Sequence, residues 1–447
     1  MMQIDELIVP RWIIPIEPHG TVLENHALAI RAGKIEALLP LEEAHRRFEP
    51  ACETVLASHV LTPGLVNLHT HAAMTLLRGV GDDLSLRDWL ETRIWPTEQA
   101  LVSHEFVLEG TRLACLEMLM GGITCFNDMY FFPDAAAQAA QELGMRACLG
   151  ITIIDFPSAW ASDAEDYLRK GLAVRDAYRD DPLLSFCLAP HALYTVGDAH
   201  LMHVATLAEQ LNVPIHIHLH ETQDEIASEL ARSGQRPIAR LESLGLVGPQ
   251  LIAVHAVHLD AAEIELFAQH GVTLAHCPSS NLKLGSGIAP IARCLDAGVR
   301  IGLGTDGAAS NNRLDMLSEL RLAALLAKGA SGRPDVFSAH EALRAATLHG
   351  AMALGLETQI GSIEEGKQAD LTAFDLGGLD CQPCFDPASH LVFVTERTHV
   401  TNVWVAGHSV VQKRQFVQPA AREAGIKGAS AVALWQNRAE LRLASLR

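Results

Sequence analysis

Two histidines one residue apart follow an apolar run early in the chain. In "LVNLHTHAAMTLLRG" they are His69 and His71, and along a β-strand residues two apart project from the same face. Two neutral imidazoles aimed at one place are a natural start for a transition-metal site. Because the chain contains 22 histidines, this pair alone is weak evidence, and the elements that position it must be considered.

Eight β-rich runs alternate with helical patterns between residues 58 and 310. The segments between them, such as "VSHEFVLEGTRLACLEMLMGG", carry apolar residues at three- and four-residue spacings. Strands that alternate with helices pair in parallel, and eight such units over about 250 residues predict an α/β fold of the (β/α)8 TIM-barrel type. The runs are "HVLTPGLVNLHTH", "GITCFNDMY", "MRACLGITIIDF", "LLSFCLAPHALY", "VPIHIHLHE", "LIAVHAVHL", "GVTLAHCPSSN" and "RIGLGTDGAAS".

Short strands separated by turns occupy both flanks of this region. They include "ELIVPRWIIPI" before the barrel and "HVTNVWVAGHSVVQKRQF" after it. Neither flank is large enough for a core of its own, so we expect the two to pack together as a small composite β-sandwich domain. The predicted division is 1–57 and 359–417 for the two parts of the β-domain, 58–358 for the metal-dependent barrel, and 418–447 for a helical tail.

The composition is typical of a soluble globular protein, and the net charge is −19 with no Lys/Arg-rich block. This argues against nucleic-acid and membrane partners and leaves a small molecule as the expected partner. No run approaches the roughly eighteen apolar residues of a membrane span, and the start lacks the features of a signal peptide. Nine scattered cysteines predict reduced thiols and a cytoplasmic location. Cys381 and Cys384 form a lone C-x-x-C, which we interpret as a loop with two buried thiols rather than a zinc or redox site.

In a (β/α)8 barrel the chemistry lies at the C-terminal ends of the strands. Titratable side chains gather at these ends on six of the eight predicted strands, which random placement would not produce. Three imidazoles and one carboxylate among them would suit zinc, or a related divalent ion, in a catalytic site. On strand 5 we favour His218, because His216 lies about 7 Å deeper and His220 about 7 Å beyond it. The gathered residues are His69, His71, His191, His216, His218, His220, Glu221, His255, His258, His276 and Asp306.

Four segments carry a family resemblance: "HTHAAMTLLRG", "HLHETQDE", "AHCPSSNLKLGSGIAP" and "GTDGAASNN". Over essentially the whole chain they resemble the amidohydrolase superfamily, and within it the methylthioadenosine/S-adenosylhomocysteine deaminase family. The resemblance implies a zinc barrel with one Zn²⁺ per subunit. It assigns the metal to His69, His71, His218 and Asp306, proton transfer to Glu221 with help from His255, and substrate contacts to Glu98 and His191, besides Glu221 and Asp306.

A second metal ion is not expected. The two-metal members of this superfamily usually bridge their ions with a carboxylated lysine at the end of strand 4, and "LLSFCLAPHALYTV" contains no lysine. Lys170 and Lys283 are the only lysines between residues 35 and 327, and neither falls on strands 4 or 5.

Three of these residues also have a purely structural interpretation. Glu221 could cap the helix "TQDEIASELAR". Glu98 in "IWPTEQA" could be a first-turn helix acid, which is the better interpretation from the sequence alone. Only the resemblance makes it a receptor for ribose hydroxyls. His191 could contact the ligand or belong to a structural loop.

The implied activity is hydrolytic deamination of an adenosine-type nucleoside. 5′-Methylthioadenosine is the leading substrate, giving 5′-methylthioinosine and ammonia, with S-adenosylhomocysteine and adenosine as poorer substrates. One alternative is a guanine or pterin deaminase or a triazine hydrolase on the same scaffold, which need not keep a ribose receptor at Glu98. The other is an inactive barrel that serves as a binding protein, which should have lost metal ligands. The chain is expected to form a homo-oligomer.

The 5′ end of the substrate is expected to meet an apolar surface. Relatives that accept S-adenosylhomocysteine well tend to carry an arginine just past strand 3, where Ile151 stands in this chain, and no Arg or Lys occurs in residues 147–168. We therefore expect the protein to prefer methylthioadenosine over a substrate with a carboxylate. The residues expected to form the apolar surface are Ile151, Ile153, Ile154 and Phe156, and those expected to repel a carboxylate are Asp155, Asp163, Glu165 and Asp166.

Overall fold

The computed structural model describes residues 1–445. Two sheets account for its strands, one formed by both flanks and one by the middle of the chain. The strands are β1 Met2–Ile13, β2 Leu23–Glu24, β3 His26–Arg31, β4 Lys34–Pro40, β5 Phe48–Pro63, β6 Leu65–Thr70, β7 Ile123–Tyr130, β8 Arg146–Ile153, β9 Leu184–Pro190, β10 Ile215–Leu219, β11 Leu251–His255, β12 Thr273–His276, β13 Arg300–Leu303, β14 Leu371–Asp375, β15 Val400–Val405, β16 His408–Gln412 and β17 Gln415–Phe416.

Helices cover the outside of the second sheet and close the chain. The α-helices are α1 Leu41–Arg47, α2 Leu86–Trp89, α3 Trp95–Leu101, α4 His104–Met120, α5 Pro133–Leu143, α6 Ala164–Tyr178, α7 Asp198–Leu211, α8 Gln223–Ser233, α9 Pro237–Ser243, α10 Ala261–His270, α11 Pro278–Lys283, α12 Ile291–Asp296, α13 Met316–Ser331, α14 Ala339–Ala345, α15 Leu348–Ala353, α16 Pro387–Phe393 and α17 Pro419–Ala444. Short 3-10 helices span Ala72–Leu77, Leu379–Cys381 and Arg397–His399, and a π-helical turn spans Leu90–Ile94.

Strands β6 to β13 pair in chain order as one parallel sheet of eight strands. Each of the eight runs predicted as barrel strands contains one of them, so the predicted (β/α)8 barrel is confirmed. Hydrogen bonds between the residues after β13 and strand β6 close the circle. Thr305 N donates to Asn67 Oδ1 at 2.9 Å, and Asp306 N donates to His69 O at 2.9 Å. Barrel closure therefore places Asp306 beside His69.

The first predicted run belongs to both sheets. Strand β5 stays in the flank sheet, paired with β14, up to Pro63, and β6 begins the barrel at Leu65. Gly64 lies between them so close to β7 that a Cβ atom there would meet Thr124 Oγ1 at 2.0 Å. The flank strand β5 thus continues past residue 57, the predicted boundary, because its pairing with β14 extends to Pro63, directly before Gly64. The domain division itself remains a prediction.

The flank sheet has the order β17-β16-β15-β14-β5-β1-β3-β4, with β2 paired to β1. Strands from both flanks meet where β14 pairs with β5, so the composite β-domain is confirmed. A buried ion pair joins it to the barrel: Arg146 donates to the Asp370 carboxylate at 2.8 and 3.0 Å, and both side chains are at most 2% exposed. Removing one partner from such a pair costs about 3–5 kcal/mol.

Between β6 and β7 the chain forms a helical cover over the C-terminal end of the barrel. We call residues 86–101, which include α2, the π-helical turn and α3, the covering segment. Gly79 and Gly81 precede it with φ angles of 77° and 79°. Arg442 of α17 donates to Pro96 O at 3.2 Å, so the long C-terminal helix supports the segment from outside. The last two residues of the predicted tail lie outside the described residues.

No helix within residues 1–445 combines the length and the apolar character needed to cross a membrane. All nine cysteines lie within this range and have free thiols, as the sequence predicts. The C-x-x-C differs in one respect from the prediction of two buried thiols. Cys381 is buried, whereas Cys384 is only partly buried, because it lies on a loop beside Phe385, which is 91% exposed.

Candidate active site and metal centre

Four side chains at the strand ends of the barrel face one point. His69 lies in β6, His71 comes directly after it, and His218 lies in β10. One ring nitrogen of each lies within 4.8 Å of the others. Asp306 Oδ1 lies 3.2 Å from His69 Nε2 and 3.3 Å from His71 Nε2. Three imidazoles and one carboxylate form a donor set that suits zinc and leaves room for a further ligand.

The outer hydrogen bonds of the three histidines orient them in the same way. Each uses Nδ1 toward a protein acceptor, which leaves Nε2 facing the common centre, as is usual for metal-binding imidazoles. His69 Nε2 is buried and has no hydrogen-bond partner among residues 1–445. For His69, His71 and His218 in turn, the acceptors are His216 Nε2 at 2.9 Å, Met129 O at 2.6 Å and His191 O at 2.8 Å.

Burial keeps the imidazoles of His69 and His218 neutral. It lowers the pKa of His69 to about 4, against the opposing effect of Asp306, and it holds the pKa of His218 well below the usual range. A neutral imidazole has the free lone pair that a metal needs. The unpartnered nitrogen of His69, the shared orientation and the N/O donor set therefore fit a divalent zinc-type ion.

Hydrogen bonds to both oxygens fix the Asp306 carboxylate, and the two oxygens have different donors. Oδ2 accepts hydrogen bonds from Ser280 Oγ at 2.6 Å and Ser310 Oγ at 2.8 Å, while Oδ1 accepts one from Gly307 N at 2.7 Å. Burial alone would raise the pKa of Asp306, but its contacts with His69 and neighbouring imidazoles hold that pKa well below the usual range. Oδ1 is thus an ionised oxygen aimed at the histidine cluster.

His216 lies deeper along β10 than His218, as the strand rise predicts. The sequence analysis set it aside for this reason, but the structure gives it a contact with the metal cluster. If His69 binds a metal through Nε2, its proton must be on Nδ1, so it donates to His216 Nε2 at 2.9 Å. Only the i+2 spacing of His216 and His218 could have indicated this contact.

Glu221 stands just past β10 and is not a helix cap. Thr222 caps α8 instead, because its side chain accepts a hydrogen bond from Glu225 N. The Glu225 carboxylate accepts from the backbone N–H groups of His220 at 3.0 Å and Glu221 at 2.7 Å, which holds the turn that presents Glu221. Burial, with a further contribution from the charge of Asp306, raises the pKa of Glu221 to about 8.

His255, at the end of β11, joins Glu221 to the metal cluster. Its Nε2 lies 3.7 Å from Glu221 Oε2, and one of its ring nitrogens lies within 4.8 Å of the donor atoms of His69 and Asp306. Its Nδ1 lies 2.8 Å from Asn281 Oδ1. The sequence analysis did not single out Asn281, although it lies within the quoted "AHCPSSNLKLGSGIAP".

Three strand ends that carry this chemistry have left-handed backbone. The φ angles are 54° at His220, 71° at His255 and 60° at Asp306. Non-glycine residues seldom adopt such angles, and where they do the position is often functional. His255 and Asp306 line the pocket, whereas His220 itself does not and instead precedes Glu221, which does.

Glu98 lies in the first turn of α3, where the sequence placed a helix acid, and it also lines the pocket. Tyr130 Oη donates to Glu98 Oε1 at 2.7 Å. Burial raises the pKa of Glu98 to about 7, although the bond from Tyr130 opposes this rise. Both interpretations of Glu98 are therefore compatible with its position.

His191 also lines the pocket, beside the metal cluster. Its Nδ1 lies 3.0 Å from Thr195 Oγ1, and burial lowers its pKa to about 3. His258 instead lies outside this pocket, where Nε2 donates to Ser286 O at 2.7 Å. His276 is buried on β12, yet neither it nor His220 lines the pocket.

Apolar and aromatic side chains form most of the remaining pocket wall. Trp89 packs there, 5% exposed, and donates from Nε1 to Val80 O at 2.9 Å. The acidic side chains in the wall are Glu98, Glu221 and Asp306, and no Lys or Arg is among the described lining residues. The apolar and aromatic residues are Met74, Leu86, Trp89, Leu90, Ile94, Trp95, Met129, Tyr130, Phe131, Ile154, Phe156, Tyr194 and Leu284.

Strand 3 was predicted to give the pocket four apolar residues, and for two of them, Ile151 and Ile153, the prediction was wrong. Ile151 points outward against α6, so closely that a Cβ on Gly171 would meet it at 2.2 Å. Ile153 shares this outer face, because residues two apart in a strand project together. Ile154 and Phe156 do line the pocket.

The acidic residues after β8 do not lie at the pocket, so the expectation that they repel a carboxylate there was also wrong. The Asp155 carboxylate accepts from Gly197 N at 2.7 Å and lies 2.7 Å from His200 Nδ1. Asp163 caps α6. Glu165 and Asp166 follow in that helix, and none of the four acids is a lining residue of the pocket. Asp155 is held at the start of α7 by Gly197 and His200, and Asp163, Glu165 and Asp166 are held outside the pocket by α6.

A parallel barrel whose strand ends gather three histidines and an aspartate defines a metal-dependent hydrolase. The model of the amidohydrolase family matches residues 60–410, and the chain belongs to this family. A relative from Teredinibacter turnerae, a 5-methylthioadenosine/S-adenosylhomocysteine deaminase, is 46% identical over 420 residues, which cover 94% of this chain and 95% of the relative. One with the same name from Saccharophagus degradans is 44% identical over 412 residues and 92% of each chain. The chain is an aminohydrolase.

Solved structures agree with this assignment. An adenosine deaminase from Xanthomonas campestris with bound zinc superposes with a TM-score of 0.96 at 48% identity, covering 98% of this chain and 99% of that one. Atrazine chlorohydrolase from Arthrobacter aurescens, complexed with zinc, superposes with a TM-score of 0.89 at 26% identity, covering 96% and 100%. Together with the histidine cluster, these structures support a metal cofactor, zinc in particular.

Proposed function

We propose that the chain is a mononuclear zinc aminohydrolase of adenosine-type nucleosides, with 5′-methylthioadenosine as the preferred substrate. The observation that carries the proposal is the pairing of two buried carboxyl groups, Glu221 and Glu98, across one pocket above the histidine cluster. Glu221 adjoins the cluster, and Glu98 stands on the covering segment. The names of the relatives support the same substrate class.

The metal ligands would be His69, His71 and His218 through Nε2 and Asp306 through Oδ1, with one ion per chain. Zinc bound there would lower the pKa of water so that hydroxide is available near neutrality. The absence of lysine from strands 4 and 5 supports a single ion. Asp306 Oδ1 faces the same centre and would take the proton of the attacking water.

Glu221 would transfer a proton to the substrate ring. With a pKa raised to about 8, its carboxyl group carries a proton at neutral pH and can donate it to the ring nitrogen beside the amino-bearing carbon. His255, 3.7 Å from Glu221, would hold the attacking oxygen by a hydrogen bond. A C–O bond would form and the C–N bond break: the proton that Asp306 took from the water would pass to the amino group, which leaves as ammonia, and the proton of the new hydroxyl would return to Glu221.

Glu98 would bind the ribose hydroxyls and His191 would contact the bound nucleoside. A carboxylate that accepts two hydrogen bonds is well suited to a vicinal diol. The wall beside Glu98 is aromatic and aliphatic and includes Trp95, Ile154 and Phe156. It would receive a methylthio group readily, whereas the carboxylate of S-adenosylhomocysteine would find no Lys or Arg in the described wall.

A triazine hydrolase is the second candidate, because the atrazine chlorohydrolase superposes at a TM-score of 0.89. A guanine or pterin deaminase would share the metal site in the same way. These activities have no use for a ribose receptor, so a strong requirement for ribose hydroxyls separates them from the proposed function.

One experiment tests the proposal. Ammonia release by the zinc-loaded protein is measured across 5′-methylthioadenosine, S-adenosylhomocysteine, adenosine, guanine, a pterin and an aminotriazine. Turnover of the nucleosides supports the proposal, and turnover of guanine, pterin or triazine alone refutes it. With the two sulfur nucleosides in competition, methylthioadenosine should be consumed with at least about tenfold higher kcat/KM, and equal consumption contradicts the proposed 5′ preference.

We also propose that the enzyme works in the cytoplasm as a homo-oligomer. The free thiols support a reducing compartment. Light scattering on the purified protein measures the oligomeric state, and a mass equal to one chain would refute that part of the proposal.

A further inference from the structure

Tyr130, the last residue of β7, contacts the proposed ribose receptor directly. Its hydroxyl donates a hydrogen bond to Glu98 Oε1 at 2.7 Å. The side chain is 6% exposed, and its ring centroid lies 5.2 Å from that of Phe131. The other carboxylate oxygen of Glu98, Oε2, has no hydrogen-bond donor among residues 1–445.

The two partners belong to differently supported parts of the molecule. Strand β7 pairs with β6, which carries His69, so Tyr130 is anchored to the same sheet as the metal cluster. Glu98 stands on the covering segment, which the chain enters through Gly79 and Gly81 at positive φ. The Tyr130–Glu98 bond therefore ties the covering segment to the barrel inside the pocket.

The distance between the metal cluster and Glu98 matters for a bound nucleoside. One end of the substrate must meet the cluster while the sugar meets Glu98, so both groups must be held at the spacing that the substrate sets. Displacements of about 1 Å in such a constellation strongly weaken transition-state binding. A covering segment free to shift would lose this spacing, and the hydrogen bond from the tyrosine hydroxyl to Glu98 opposes such a shift.

We propose that Tyr130 is a positioning residue that fixes Glu98 and so makes the enzyme dependent on the ribose hydroxyls. The proposal rests on the proposed function, in which Glu98 binds these hydroxyls. Tyr130 supplies no metal ligand and does not act on the reacting atoms in this role, although its ring centroid lies 6.5 Å from that of His71. It leaves Glu98 Oε2 free for the sugar and holds Oε1 in place.

The test uses the zinc-loaded full chain and the variant Tyr130→Phe, which removes the hydroxyl and keeps the ring. For adenosine we expect KM to rise about fivefold to twentyfold, because a charge-assisted hydrogen bond is lost, while kcat changes less than about twofold. For 2′,3′-dideoxyadenosine, neither constant should change. Tyr167→Phe is the matched control, since Tyr167 is fully buried and its hydroxyl has no hydrogen-bond partner among the described residues; this variant should match the wild type.

The variants Glu98→Ala and Glu98→Ala/Tyr130→Phe complete a double-mutant cycle. If Tyr130 acts through Glu98, its substitution adds no further loss once Glu98 is gone. An equal loss on adenosine and dideoxyadenosine, an unchanged KM for adenosine, or a full additional loss in the Glu98→Ala background overturns the proposal. If Glu98→Ala itself spares adenosine, the ribose assignment in the proposed function fails instead, so the two failures are distinguishable.

Discussion

Buried histidines occur both in the cluster at the barrel mouth and at His349, beside the start of β13. The two environments are similar in burial but differ in their hydrogen bonds. Burial lowers the pKa of both His69 and His349 to about 4. His349 nevertheless uses both ring nitrogens, because Nδ1 lies 3.0 Å from Ile301 O and Nε2 accepts from Arg344 Nε at 3.1 Å. His69 uses only Nδ1, and its buried Nε2 has no hydrogen-bond partner within residues 1–445.

This difference teaches how a ligand is distinguished from a structural histidine. Burial and a depressed pKa describe both His69 and His349, whereas an unpartnered nitrogen that faces other donor atoms describes His69 alone of the two. An unsatisfied buried polar group costs free energy, so His69 Nε2 indicates a missing partner such as a metal ion. Substitutions at the two sites can show whether the sites differ in function as they differ in hydrogen bonding.

The largest effect is expected at the proton-transfer group of the barrel mouth. Glu221→Gln should lower turnover on the order of a hundredfold or more, because the amide cannot carry the proton to the ring nitrogen. About one zinc per chain should remain, as measured by metal analysis alongside ammonia release, and a chelator should abolish activity of the wild type. Normal turnover by the variant would show that Glu221 is not the proton donor.

The second effect separates the two histidine environments directly. His216→Leu removes the acceptor of His69 Nδ1 and should weaken zinc binding about tenfold to a hundredfold, the usual loss for such outer partners. His349→Leu is the matched control and should leave zinc affinity unchanged. Competition with a fluorescent chelator measures both. Similar affinities of the two variants would mean that His216 is only a packing residue.

A third prediction concerns the covering segment rather than the metal. Glu98→Ala should reduce kcat/KM on adenosine about tenfold to a hundredfold by loss of a charge-assisted contact with the ribose. Zinc content should stay at the wild-type level. A nucleoside without ribose hydroxyls is the control, since it is expected to be a poor substrate for both proteins. Equal losses on the two nucleosides would make Glu98 a structural helix acid.

The smallest effect is a pH dependence of stability at His349. Its pKa is about 4 in the folded chain and about 6.5 in an unfolded one, so between these values the unfolded state binds more protons. The free energy of unfolding therefore rises with pH across this window, and the contribution of about 1–3 kcal/mol is lost as pH falls from 6.5 to 4. Urea unfolding of wild type and His349→Gln at pH 4.5 and 7 measures it; a difference independent of pH would contradict the assignment.

Much of the barrel and of the candidate site could be predicted because the signals are local. The eight strands follow from the periodicity of their own residues. The His69 and His71 pair, His218, Glu221 and Asp306 come at strand ends, and parallel strands bring their ends to one edge of the barrel. The family resemblance assigned the roles, and the strand register of the structure brings the same side chains together.

The tertiary structure decided what depends on neighbouring elements. Alternation places Ile151 and Ile153 on one face, but only the position of α6 makes that face the outer one. Gly64 separates the two sheets because β7 passes close behind it. The contacts of Tyr130 with Glu98 and of His216 with His69 join residues that are 32 and 147 positions apart. No local pattern encodes such distant pairs, since they arise only when the barrel closes and the covering segment folds across its mouth.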